Sequence, residues 1–192
     1  MSSAASTLIG SEYSRLIIIR GNSGSGKSSL AKAIRAVRPR GIAIVGQDVL
    51  RREILHVRDH PETPNVSYMD LSARFALEHG LDVVIEGFLH SEIYGEMLAR
   101  LQSDHRGVTR SYYYELALDE TLRRHQTKPL AAEVPVDTVA TWYRNADPVL
   151  ALREVVFDET VSAGEALERV LVDVGWSAPD ANASETASSN SL

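Results

Sequence analysis

The segment Gly21-Asn22-Ser23-Gly24-Ser25-Gly26-Lys27-Ser28 constrains this chain more than any other, because it satisfies G-x-x-x-x-G-K-[ST] in full. It follows the apolar, β-branched run Leu16 to Ile19 and precedes Leu30, Ile34 and Val37, which recur at helical spacing up to Pro39. A strand, a glycine-rich turn and a helix in that order form a cradle for phosphate. Glycines let backbone N–H groups turn inward, and the helix N-terminus adds positive potential. Lys27 then reaches the β- and γ-phosphates, and the Ser28 hydroxyl ligates Mg²⁺. The expected phosphate-binding set is Gly21, Asn22, Ser23, Gly24, Ser25, Gly26, Lys27, Ser28 and the adjoining Ser29. A glycine-rich turn that holds nothing is the alternative, and it does not require this spacing. No N-K-x-D segment, the usual guanine reader, occurs, so ATP is the expected donor and GTP the alternative.

The rest of the chain alternates in the same way. Gly41 to Gly46, Asp82 to Glu86, Ser111 to Leu118 and Val155 to Phe157 read as four more strands. Between them come a helix N-capped by Asp48 and running through Arg51 and Leu55, and one with Leu71, Phe75 and Leu77 that ends at Gly80. Glu92 to Leu101 reads as another, Asp119 caps a basic helix, and Ala166, Val170 and Val174 mark a closing helix. This order predicts an α/β domain with a mainly parallel five-stranded sheet, helices on both faces and ligands at the carboxyl ends of the strands. Gly21, Asp48 and Glu86 stand at three such ends.

With 192 residues, one domain is expected over residues 15–176, with a flexible N-terminus at 1–14 and a disordered tail at 177–192. A net charge of -6 opposes a long polyanion as main ligand and favours a small substrate. The absence of cysteine excludes disulfides and thiolate chemistry. Met1 to Ser14 lacks the pattern of a signal peptide, and Leu16 to Ile19 is too short to span a bilayer, so no membrane association and a cytoplasmic location are expected.

Transfer of a phosphoryl group needs a hydroxyl held in line with it, a base for the proton and cations for the spreading charge. Asp48 and Arg51, three residues apart on one helix face, meet the first two needs; otherwise they are a cap and a solvated charge. Glu86 ends an apolar strand where a carboxylate needs a cation or a donor; Mg²⁺ held through water is its natural partner, and an acid facing solvent is the alternative. The following Gly87 suggests close approach of another group. Arg52, His90 and Tyr68 are further candidates for the acceptor pocket. In the basic helix, Arg124 and Lys128 share a face as candidate lid cations, while Arg123 points elsewhere and is placed to stack on adenine. Beyond it, Trp142 reads as a packing residue and Arg144 as a second candidate for a phosphate contact.

With these pieces in place the chain resembles, from about Leu16 to Trp176, the small P-loop kinases that include polynucleotide 5′-hydroxyl kinase domains and chloramphenicol phosphotransferases. The likeness rests on the loop GNSGSGKS, on D-x-x-R at Asp48 to Arg51, on V-V-I-E-G in the third strand and on a basic lid helix after the fourth. It implies the three-layer P-loop NTPase fold with a helical lid, ATP and Mg²⁺ as requirements, a general-base role for Asp48 and acceptor contact for Arg51. The adjacent Arg123 and Arg124, with Lys128 where a second arginine is expected, depart from the polynucleotide kinase spacing. A kinase of a small hydroxylated molecule is the leading expectation. A kinase of nucleic-acid 5′ ends, drawing on Arg51, Arg52 and Arg58, and a nucleotide-gated switch are the alternatives.

Overall fold

The computed structural model describes residues 8–126 and 135–176. Lys128, the rest of the predicted lid up to residue 134 and the predicted tail lie outside them. Five strands, β1 (Arg15–Gly21), β2 (Ile42–Gly46), β3 (Asp82–Gly87), β4 (Val108–Tyr114) and β5 (Val155–Phe157), form one sheet in the order β2-β3-β1-β4-β5. Every pairing is parallel. The helices are α1 (Lys27–Val37), α2 (Asn65–Glu78), α3 (Ser91–Asp104), α4 (Leu118–Gln126), α5 (Val136–Trp142) and α6 (Ala163–Asp173). The predicted α/β architecture is therefore the observed one.

The central strand explains the three layers. Leu16, Ile17, Ile18 and Ile19 are all fully buried, and the two-residue period of a strand sends them to opposite faces. Leu16 and Ile18 join the core that includes Met69 and Ala73 of α2 and Leu98 of α3, whereas Ile17 and Ile19 join Leu30 and Ile34 of α1 and Val170 of α6. Each such side chain contributes roughly 1.5–3 kcal/mol by leaving water. Polar groups are thereby forced to the strand ends, where register sets them side by side: Ile19 is opposite Glu86, and Glu86 is opposite Gly46.

Several local expectations are corrected. On α2 the buried face is Met69, Ala73, Ala76 and Leu77, while Leu71 and Phe75 are exposed. Small Ala73 and Ala76 let the helix approach the sheet, and Phe75 instead stacks on His79 with ring centroids 4.0 Å apart. Strand β4 stops at Tyr114 rather than Leu118, because α4 starts at Leu118 and puts Asp119 in its first turn instead of at its cap. The predicted flexible N-terminus is packed from Leu8 onward in part: Ile9 is buried and bridges His105, and the buried Ser14 hydroxyl lies 2.8 Å from Nε2 of the same histidine.

Candidate active site

The carboxyl ends of β1, β2 and β3 open into a cavity of about 960 Å³. Lys27, Ser28, Asp48, Arg51, Arg52 and Glu86 all line it, as do His90, Trp142 and Arg144. The phosphate loop thus shares one cavity with the residues expected on the acceptor side. Within the loop, the buried Lys27 donates from Nζ to the Asn22 carbonyl at 2.7 Å and to Ser25 Oγ at 3.2 Å. Gly26, at the cap position of α1, contributes no side-chain bond, so the first amides of the helix face the loop.

Ser28 Oγ donates to Glu86 Oε2 at 2.9 Å. Oxygens on adjacent corners of a Mg²⁺ octahedron, each ~2.1 Å from the ion, are about 3.0 Å apart, so a hydroxyl and a carboxylate at this separation fit that ion. Gly46 makes room for the carboxylate, since a Cβ there would lie 2.9 Å from Glu86 Oε1.

Asp48 does not cap a helix. Its backbone is already helical, no amide bonds to its side chain, and Val49–Ile54 is a π-helical segment, wider than an α-helix. The Asp48 carboxylate instead accepts from Arg51 Nη2 at 3.1 Å and forms an ion pair with Arg52 Nε at 3.1 Å, while remaining 64% exposed toward the cavity. Two guanidinium groups therefore fix the orientation of one accessible carboxylate.

The helix α4 crosses the loop: a Cβ on Gly24 would lie 3.1 Å from the Thr121 carbonyl. Arg124 reaches the Ser25 carbonyl at 3.4 Å and pairs with Glu120 at 2.5 Å. Arg123, placed by the sequence reading at the adenine ring, pairs with Glu120 at 2.7 Å on an exposed face. Hydrogen bonds from Arg123 and Arg124 pull the Glu120 carboxyl down to about 2.

Other expectations resolve differently. His90 lines the cavity, and burial, opposed by Asp147, lowers its pKa. Tyr68 packs against the core beneath α2 rather than into the cavity, and Trp142, read as a packing residue, is 37% exposed on the cavity wall. The close approach expected at Gly87 is made by a side chain: a Cβ there would lie 2.5 Å from Gln47 Cβ.

Three supports escaped the sequence reading. Gln47 is buried; its Oε1 accepts from the Phe88 and Leu89 amides at 2.7 and 3.2 Å, and its Nε2 donates to Asp59 Oδ2 at 2.8 Å. It is a crossbar between the ends of β2 and β3, next to Asp48. Arg20 is fully buried and bonds Glu154 through Nη1 at 2.8 Å, Asp147 through Nη2 at 3.2 Å and the Leu89 carbonyl through Nε at 2.9 Å. Its signal was available, a cation directly after four aliphatic residues of a central strand. Asn22, expected only in the phosphate loop, also bonds the main chain of Arg144.

Comparison with known proteins agrees with this architecture. The structure is similar to a gluconokinase from Sinorhizobium meliloti 1021, with 18% identity and a TM-score of 0.60, covering 86% of this chain and 94% of that one. It is similar to the Mycobacterium tuberculosis APS kinase in complex with AMPPNP and APS, at 16% identity and a TM-score of 0.64, covering 84% and 98%. A chain of the Pnkp1/Rnl/Hen1 RNA repair complex matches at 16% identity and a TM-score of 0.52, covering 80% of this chain and 47% of that one. At these identities the likeness is one of fold. No curated protein matches the sequence. The zeta toxin family model matches residues 5–146, a span that takes in the phosphate loop, Asp48, Glu86, α4 and Arg144. The chain belongs to the zeta toxin family, a family of P-loop kinases.

Proposed function

We propose that the protein is an ATP- and Mg²⁺-dependent kinase that transfers the γ-phosphoryl group to a hydroxyl of a small molecule in the cytoplasm. The observation that carries this reading is the single cavity that joins Lys27 and Ser28 of the phosphate loop to the exposed carboxylate of Asp48. A nucleotide binder without an acceptor has no use for a carboxylate held by two arginines and open to the phosphate site.

In this reading Asp48 accepts the proton of the acceptor hydroxyl, and Arg51 and Arg52 hold its carboxylate in position. Lys27 lies on the β- and γ-phosphates and Arg124, already at the Ser25 carbonyl, adds positive charge beside the transferred group. Ser28 and Glu86 would hold Mg²⁺, which would supply neutralisation of phosphate charge.

A second reading, a kinase of nucleic-acid 5′ ends, draws support from Arg51, Arg52 and Arg58, which all line the cavity. Asp48 neutralises part of that charge, and the net charge of -6 works against a polynucleotide. Incubation with labelled ATP and a panel of sugars, antibiotics and 5′-hydroxyl oligonucleotides separates the two. Transfer to a small molecule is expected; transfer to oligonucleotides alone overturns the first reading. Asp48→Asn is expected to lower kcat by roughly 10²–10⁴ with ATP affinity unchanged. Hydrolysis without transfer to any acceptor, unaffected by Asp48→Asn, points instead to a nucleotide-gated switch.

A further inference from the structure

We infer that Asn22 is a positioning residue whose side chain clasps the main chain of Arg144 and so holds that arginine against the phosphate loop. The inference rests on the kinase reading above and adds to it a connection that the loop motif does not contain, since position 22 is one of its unspecified residues.

The clasp uses both halves of the amide. Asn22 Nδ2 donates to the Arg144 carbonyl at 2.7 Å, and the Arg144 N–H donates to Asn22 Oδ1 at 2.9 Å. Two antiparallel bonds to one residue fix its orientation as well as its distance, as a rung of paired strands does. Asn22 is 3% exposed, so water competes poorly for these bonds. Its carbonyl meanwhile accepts from Lys27 Nζ at 2.7 Å, so one residue holds the loop lysine with its main chain and Arg144 with its side chain.

The segment around Arg144 is anchored on both sides. Tyr143 donates its hydroxyl to the Leu116 carbonyl at 3.0 Å, and the Asp147 carboxylate accepts from the Ser91 amide at 3.0 Å and from Arg20 at 3.2 Å. Between these anchors the Arg144 side chain is exposed, lines the cavity and makes no salt bridge or hydrogen bond among the described residues. Its charge also helps to lower the pKa of His90, which lines the same cavity, behind the larger effect of burial. A guanidinium fixed there by its backbone and unpaired at its head meets phosphate oxygens without first breaking another bond. Asn22 supplies the fixed position and Arg144 the charge.

A double-mutant cycle tests this with Mg-ATP as the probe and water as the phosphoryl acceptor, so that no acceptor need be known. Arg144→Ala leaves the clasp intact and removes the charge, whereas Asn22→Ala removes the clasp and leaves the charge. Each is expected to lower the rate of ATP hydrolysis about 10-fold or more, and the double variant no further than the worse single one. A purely structural role for Asn22 predicts losses that multiply, and that result overturns the proposal. Should Asn22→Ala fail to fold, Asn22→Ser, which keeps one hydroxyl near Arg144, takes its place in the cycle, with melting curves as the check. Lys27→Ala distinguishes the two levels. If it abolishes hydrolysis while Arg144→Ala changes nothing, the clasp alone is overturned; if it too changes nothing, the kinase reading falls and the clasp with it.

Discussion

The Ser28 hydroxyl donates to Oε2 of Glu86 across 2.9 Å, joining the first turn of α1 to the end of β3. Neither residue owes this contact to local sequence; the parallel pairing of β1 with β3 brings it about, with Ile19 opposite Glu86. If the pair shares Mg²⁺, Glu86→Gln keeps the size and an acceptor for Ser28 but removes the charge. The Mg²⁺ concentration giving half-maximal hydrolysis is expected to rise about 10-fold or more, with much of the rate recovered at high Mg²⁺. An unchanged Mg²⁺ titration removes Glu86 from the metal site.

Lys27→Ala is expected to lower ATP turnover at least about 100-fold, by analogy with loss of one preorganised charge in a transition state. The same change also carries a cost to the fold. Lys27 is 7% exposed and bonds Asn22 and Ser25 within the loop, so the apo protein should lose about 1–2 kcal/mol, visible as a lower melting temperature. Activity lost far beyond that modest destabilisation identifies a phosphate contact; activity that simply follows stability does not.

His105 gives the stability a pH dependence of predictable sign. Burial, with a smaller effect from Arg15, lowers its pKa from 6.5 to about 4, and its ring nitrogens meet Ser14 Oγ at 2.8 Å and Thr109 Oγ1 at 2.9 Å. Below 6.5 the unfolded chain binds a proton that the folded chain refuses. The stability contributed by the neutral ring is thus complete above about pH 6.5 and is lost as pH falls toward 4. His90, also lowered by burial, acts in the same sense, while burial raises Asp82 and opposes the trend nearer pH 4. Comparison with His105→Asn isolates the effect: the variant's melting temperature should fall less steeply between pH 6.5 and 4. Parallel curves for the two proteins contradict this account.

The parts of the fold that were legible in the sequence are those with a physical period. Leu16 to Ile19 and Val83 to Ile85 are buried on both faces, and such strands show as continuous aliphatic runs. The phosphate loop was legible because its spacing is itself the mechanism. What the sequence hid depends on partners far along the chain or on small residues. Asn22 and Arg144 are 122 positions apart, and nothing local to either announces the other. Ala73 and Ala76 carry less hydrophobic weight than Leu71 and Phe75, so weighting by hydrophobicity selects the wrong face of α2. The π-helical turn after Asp48 has no sequence signature of its own, and at its start Asp48 pairs with two arginines and makes no side-chain bond to a helix amide.

The crossbar at Gln47 yields a prediction that depends on polarity alone. Its Nε2 donates to Asp59 Oδ2 at 2.8 Å, and Asp59 Oδ1 accepts from the Tyr94 hydroxyl at 2.6 Å and from Asn65 Nδ2 at 2.8 Å. Gln47→Glu keeps the shape but turns a carboxylate oxygen toward Asp59, replacing a hydrogen bond by two like charges around a buried position. The expected loss is about 1–3 kcal/mol, or a melting temperature lower by roughly 3–10 °C for a domain of this size. Acidification should shrink the deficit, because a proton shared between the two carboxyl groups restores a bond. Asp59→Asn alone turns an amide N–H toward Gln47 Nε2 and should also destabilise. Combining both changes reverses the polarity of the bond: the new amide at 59 donates to the new carboxylate at 47, while Oδ1 continues to accept from Tyr94 and Asn65. The double variant should therefore recover most of the lost stability at neutral pH. If its melting temperature instead falls by the sum of the two single losses, the Gln47–Asp59 bond is not what ties the end of β2, beside Asp48, to the segment before α2.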